Sequence, residues 1–185
     1  MELRDHIRRH YENIWISRAT VKYFYKGPIH KLNPDFCVLE FPPAGNQNVW
    51  TYATCCMSTE REGRRIELHL FSATQDATLI ELLTVTASYH KNDANLGLHH
   101  TVNFGRPWQN NSQCTYGFIS LPYLDGPELE DLAIPGTDVV HKFYWLIPVT
   151  KAEVEFKKKY GVEELEQRFE LEKFNYVDPY RESVV

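Results

Sequence analysis

No stretch of this chain approaches the ~18 consecutive apolar residues that a membrane-spanning helix needs, so no such helix is expected. The N-terminal MELRDHIRRHYENIW is charged throughout and has no apolar h-region, so it does not read as a secretory signal. The two together predict a cytoplasmic protein. An excess of basic charge is also missing. Lys and Arg number 20 against 25 Asp and Glu, a net charge of −5, which speaks against a nucleic-acid binder, because neutralising phosphates takes a basic face. Glycine is scarce, and Gly117, Gly126 and Gly136 stand apart, so no glycine-rich phosphate cradle is written here. The four cysteines, Cys37, Cys55, Cys56 and Cys114, contain no C-x-x-C pair, which excludes a zinc ribbon or thioredoxin motif. They read as small buried hydrophobes in a reducing compartment. Cys55 and Cys56 are neighbours on a predicted strand, where they would face opposite sides.

The chain is instead rich in aromatic residues, at 14% of its 185 positions, a composition suited to cores and interfaces alike. Residues 49–57 carry apolar side chains on both alternating faces and predict a strand inside a covered sheet. Residues 65–71 alternate. Ile66, Leu68 and Leu70 point one way, Glu67 and His69 the other, which predicts a half-exposed outer strand. Between them lies a polar tip carrying Arg61, Gly63 and Arg64, so the pair reads as an antiparallel hairpin with a basic end.

Elsewhere, residues 3–15 have helical periodicity on Leu3, Ile7, Tyr11 and Ile14 or Trp15. Residues 20–25 and 36–41 read as strands, ended by Gly27-Pro28 and Pro42-Pro43. Residues 74–92 predict the main helix, with Thr74 or Asp76 as N-cap and Leu79, Leu82, Leu83 and Thr86 inward. Strands follow at 99–104, 116–121 and 139–147, the last a second central strand, with a polar loop at 106–114. Thr150 and Glu153 have capping-box spacing and open a helix in which Lys157, Lys158 and Lys159 suit the C-terminal dipole. Gly161 interrupts it, and 162–169 resumes with Leu165 and Phe169 inward. Residues 170–185 form a polar, aromatic tail, disordered in part unless docked. The order predicts an α+β fold: one mostly antiparallel (mixed) β-sheet with helices packed on its faces, a single domain over 1–185.

For catalysis, no G-x-S-x-G or cysteine-protease signature accompanies the histidines and cysteines, and no constellation of nucleophile, base and orienting acid is evident. No catalytic residue is assigned. His99-His100, with His90 nearby, is the sharpest candidate for metal binding, but adjacent side chains on a strand diverge and H-E-x-x-H is absent. Structural or surface histidines are the better reading, and no metal or cofactor is expected. A hydrolase using His100 or Cys114 is the least favoured alternative.

Residues 122–138, PYLDGPELEDLAIPGTD, hold Asp125, Glu128, Glu130, Asp131 and Asp138, and no Lys or Arg occurs from 107 to 141. The segment reads either as a solvated acidic loop or as a docking surface for a basic partner. Leu124, Leu129, Leu132 and Ile134 are interspersed to cover the sheet or anchor an interface. Asp125, Glu128, Leu129, Glu130 and Asp131 are the candidate partner-binding residues.

Several stretches together resemble the suppressor-of-fused (SUFU-like) domain family. They are FPPAGNQNVWTYATCCMS, RRIELHLF, LIELLTVTASYH and PYLDGPELEDLAIPGTDVVHKFYWLIPVTKAEVEFKKKYGVEELEQRF. The match covers about residues 36–169 and rests on order and collective fit, since no piece is a catalytic signature. The resemblance implies a non-enzymatic binding module. It further implies the bacterial single-domain type, an immunity or antitoxin protein that neutralises a cognate toxin by stoichiometric binding, and the acidic segment would suit a basic nuclease-type toxin as the partner. A scaffold that sequesters a regulatory protein is the alternative.

Overall fold

The structure, a computed structural model, describes residues 2–27, 31–45, 47–58 and 65–185. Pro28 and the predicted hairpin tip with Arg61, Gly63 and Arg64 lie outside the described residues. The helices are α1 (Leu3–Trp15), α2 (Thr78–Asn92), α3 (Pro127–Glu130), α4 (Lys151–Tyr160) and α5 (Val162–Leu171). The strands are β1 (Thr20–Lys22), β2 (Cys37–Phe41), β3 (Trp50–Cys55), β4 (Ile66–Ser72), β5 (Thr101–Asn103), β6 (Cys114–Ser120), β7 (Asp131–Ala133) and β8 (Val140–Thr150).

They form one sheet in the order β1-β2-β3-β4-β8-β6-β5, with β7 also paired to β8. Only the β4–β8 pair is parallel among the described strands. The result is the expected α+β fold with a mixed, mostly antiparallel sheet. Strand β8 is its spine. It takes β4 on one side, while β6 pairs with its C-terminal half and β7 with its N-terminal end.

Alternation along the strands splits the core between the two faces. On one face α2 lays Leu79, Leu83 and Ala87 against Tyr52, Leu68, Leu70 and Leu146. The opposite face is divided. At one end α1 packs Ile7, Tyr11 and Trp15 on Leu39, Phe41, Ala53 and Phe143. At the other, Val154 of α4 and Leu165 and Phe169 of α5 pack on Phe71, Trp145, Ile147 and Val149. Each fully buried side chain of this kind contributes about 1.5–3 kcal/mol of transfer free energy.

The half-exposed outer strand expected at 65–71 is corrected: β4 is interior and buried along its whole length. Its alternation is genuine, but the polar side chains of Glu67 and His69 face α1 rather than solvent, and both are fully buried. The expected opposition of Cys55 and Cys56 is also corrected. The chain turns at Cys56, whose φ is 62°, so both thiols enter the α1-side cluster beside Cys37.

The expected capping box is present. Thr150 Oγ1 accepts from Glu153 N–H at 3.2 Å, and Glu153 Oε2 accepts from Thr150 N–H at 2.7 Å. The same buried Glu153 holds the tail. Arg181 donates to both carboxylate oxygens at 2.7 and 2.8 Å, and Val184 N–H donates at 3.1 Å. The tail, for which the sequence alone leaves disorder open, is therefore docked. Arg181 also donates to Pro148 O at 2.9 Å. Pro148 sits within β8 opposite Gly117, in the stretch where β4 no longer pairs, so its missing N–H breaks no ladder on that side.

Candidate functional site

The acidic segment leaves β6 at Ser120, crosses the divided sheet face and returns as β7 along β8. Its first acid does not stay outside. Asp125 Oδ1 accepts from Trp15 Nε1–H at 2.6 Å and from Gln47 Nε2–H at 2.7 Å. Its Oδ2 lies 3.0 Å from Nε2 of His69, both side chains fully buried. The two atoms do not meet hydrogen-bond geometry, and the contact is an ion pair only when the ring is protonated. Asp125 thus seals the seam between the two halves of the face.

Leu129 is fully buried against α1, and its carbonyl accepts from the His10 ring at 3.0 Å. Asp125, which the sequence pattern puts on the surface, and Leu129, which it leaves to cover the sheet or anchor an interface, both turn inward and anchor the segment. Glu128 and Asp131 are exposed and Glu130 partly so. Asp131 is paired with Lys142 at 2.7 Å, the first cation after the acidic run, across the β7–β8 ladder.

The anchoring of Asp125 leaves Tyr123 and Leu124 outside, 60% and 49% exposed. They form one wall of an open groove of about 750 Å³. Its opposite wall is α5. Trp145, Ile147, Phe169 and Phe174 line its interior, and Glu163, Glu164, Glu166 and Glu170 stand around them. No Lys or Arg lines it among the described residues. Arg168 of α5 turns away, lying 5.8 Å from the Phe156 ring of α4. Glu166 Oε1 accepts from Ser120 Oγ–H at 2.8 Å, tying α5 to β6. Burial, Glu166 and Glu130 push the Tyr123 phenol up, which places α3 and α5 carboxylates around one ring. The acidity seen in residues 122–138 thus continues onto α5, a helix whose sequence pattern speaks only of core packing. The signal is present in Glu163, Glu164, Glu166 and Glu170, but nothing in their spacing says that they meet the acidic loop.

Of the histidines and cysteines weighed for metal binding or catalysis, His90, His99 and Cys114 have structural employment, and His100 is exposed. Leu96 N–H donates to His90 Nδ1 at 3.0 Å, so Nε2 carries the proton and meets Ser58 Oγ at 3.1 Å. His99 stacks on Phe118, and its carbonyl accepts from Lys157. Among the described residues no group of three or more His, Cys, Asp or Glu is placed to hold a metal ion. Cys114 is buried, and burial pushes its thiol up, the reverse of what a nucleophile needs. Among the described residues no helix is long and apolar enough to cross a membrane.

A groove lined by aromatics and rimmed by one sign of charge has the character of a recognition surface. Comparison with known proteins agrees on the fold that carries it. A SUFU homolog from Neisseria gonorrhoeae superposes with a TM-score of 0.85 at 29% identity, covering 99% of this chain and 97% of that one. A chain in the crystal structure of the Sufu–Fu complex superposes at 0.69 with 12% identity, covering 98% and 92%. Drosophila Suppressor of Fused superposes at 0.62 with 12% identity, and the match spans 96% of this chain but half of that one. No curated protein matches the chain. The model of the family described as suppressor of fused protein (SUFU) matches residues 33–182, and the chain belongs to that family.

Proposed function

We propose that this chain is a non-enzymatic protein-binding module that works by stoichiometric occlusion, and that the protein it occludes is basic. The observation that carries the reading is the acid-rimmed aromatic groove between α5 and residues 120–124. Aromatic side chains offer large contact area at little entropic cost, and the surrounding carboxylates steer a cationic partner into register. The same carboxylates repel phosphate, which argues against nucleic acid as the ligand. Glu128, Glu130 and Asp131 extend this contact surface, while Asp125 and Leu129 hold it in place from beneath.

In its finer form the proposal is an immunity or antitoxin protein acting in the cytoplasm on a nuclease-type toxin. Such a toxin carries a basic surface to bind phosphates, and an acidic cover blocks it. The tagged chain, purified from its native host at low salt, should retain one basic protein in a one-to-one complex. A toxin gene beside this one, whose product is harmless only when the chain is co-expressed, supports the finer form. Growth arrest unchanged by co-expression with that neighbour overturns it.

A second reading, a scaffold holding a regulatory protein, draws on the similarity to a chain of the Sufu–Fu complex. Recovery of a non-toxic regulatory partner at the same groove would favour it.

A further inference from the structure

Three of the four thiols meet at the edge of the α1-side core. Cys37 and Cys55 are directly opposite one another in the antiparallel β2–β3 ladder. Opposed residues in such a ladder have Cα atoms about 4.5–5.5 Å apart. That lies within the ~4.4–6.8 Å range that a disulfide spans. The two side chains share one face of the ladder, so the thiols are neighbours in one cluster. Cys56, turned by its positive φ, touches Cys55 from the other side.

Cys37 also forms part of the wall of a cleft of about 410 Å³, between Tyr23–Tyr25 and residues 32–36. The Cys55 thiol donates to the Arg4 carbonyl at 3.6 Å, so the start of α1 lies against the pair. The neighbouring Cys55 lowers the Cys37 thiol from its ordinary value, and the Arg4 charge adds to the effect against the opposing influence of burial. Cys55 shifts the other way. Cys37 is the thiol that borders the cleft and so the one peroxide meets first, and Cys55, directly opposite it, is placed to resolve the oxidised sulfur.

We propose that Cys37 and Cys55 are a peroxide-responsive pair that closes to a cross-strand disulfide. The Cys37 thiolate attacks one oxygen of hydrogen peroxide and the O–O bond breaks. The departing hydroxide takes the thiol proton and leaves as water, and the Cys37 sulfur becomes a sulfenic acid. The Cys55 sulfur then attacks the Cys37 sulfur, displacing hydroxide, which leaves as water with the Cys55 proton. Two thiols are oxidised by two electrons and one peroxide is reduced to two waters.

The test treats the intact protein with hydrogen peroxide, removes the excess, denatures it and blocks remaining thiols with iodoacetamide. Glu-C digestion cuts after Glu40, between the two cysteines, so a disulfide is read by mass spectrometry as a linked peptide pair, and fragmentation between Cys55 and Cys56, which share the 41–60 peptide, assigns the bonded sulfur. The expected result is two alkylated cysteines, Cys56 and Cys114, where the untreated protein shows all four. The linked pair should be lighter than the reduced peptides by two hydrogen atoms and should separate on reduction. Cys56→Ser and Cys114→Ser should keep the link, and Cys55→Ser should lose it. Four alkylated cysteines in the treated wild type overturn the proposal, as does a linkage through Cys56 or Cys114. Because the wild-type map alone decides, a variant that fails to fold does not shelter it.

Discussion

His69 Nε2 lies 3.0 Å from Asp125 Oδ2, and neither side chain reaches solvent. The contact joins the middle of the sheet to a loop that, on sequence, belonged to the surface. It fixes where Tyr123 and Leu124 stand, and so shapes one wall of the groove. Asp125→Ala also strips Trp15 and Gln47 of their acceptor. The expected loss of stability is about 3–5 kcal/mol, the scale of losing one partner of a buried pair. Asp125→Asn, which keeps an oxygen for Trp15, should lose less. Urea unfolding measures both; an alanine variant within about 0.5 kcal/mol of the parent would show that the loop is anchored by something else.

Glu67 supplies a pH dependence. It accepts from Thr54 Oγ1–H at 2.6 Å and Met57 N–H at 3.0 Å, yet burial outweighs these bonds and pushes its carboxyl up to about 8 from an ordinary 4.5. The folded state therefore holds a proton that the unfolded chain gives up above pH 4.5. This contribution is full below that value and is lost as pH rises through about 8. Within the window the slope approaches about 1.4 kcal/mol per pH unit. Glu67→Gln removes it, so the variant should gain on the parent steadily from pH 5 to pH 8 in denaturant titrations. His141, which burial and Arg65 push down to about 4, acts in the opposite direction, and the comparison of parent and variant at each pH cancels it. A constant difference across the range would contradict the assignment.

These two residues also mark what was legible in the chain. Helix α1, the main helix α2, the Thr150 capping box and the double-faced β3 and β8 were readable, because each rests on local periodicity or a short motif. The position of β4 was not. Alternation reveals that Glu67 and His69 share a face, but a polar face is normally assigned to water. Here Thr54, thirteen residues away, and Asp125, on a distant loop, replace the water, and no local pattern announces either. Likewise Asp125 and Glu128 looked equivalent in sequence, although one is buried and the other exposed. The strand β7 was missed because three residues within an acidic run carry no strand signal until Lys142 is opposite Asp131.

Arg181 and Glu153 make the tail part of the fold. Arg181 lies 5.3 Å from the Phe174 ring, and Phe174 and Tyr176 pack with Trp145 at the groove. Arg181→Ala leaves a buried carboxylate without its cation, at a cost of about 3–5 kcal/mol. It should also raise amide exchange throughout residues 172–185 ahead of global unfolding. Exchange unchanged in that segment would mean that the aromatic contacts suffice.

Charge on the groove rim should govern association. Reversing Glu163, Glu166 and Glu170 to Lys should slow binding of a basic partner by roughly tenfold or more at low salt and flatten its salt dependence. Stability should stay within about 0.5 kcal/mol of the parent for Glu163→Lys and Glu170→Lys, which are exposed. Stopped-flow association over a salt series reads the effect. On-rates equal to the parent's would remove this rim from the contact surface.

The groove itself is tested most directly by hydrogen exchange on the chain bound to the partner recovered from its host. Protection concentrated at residues 120–124 and 163–174 is the predicted footprint. Protection confined to the outer strands β1 or β5, with the groove exchanging as in the free protein, would contradict it.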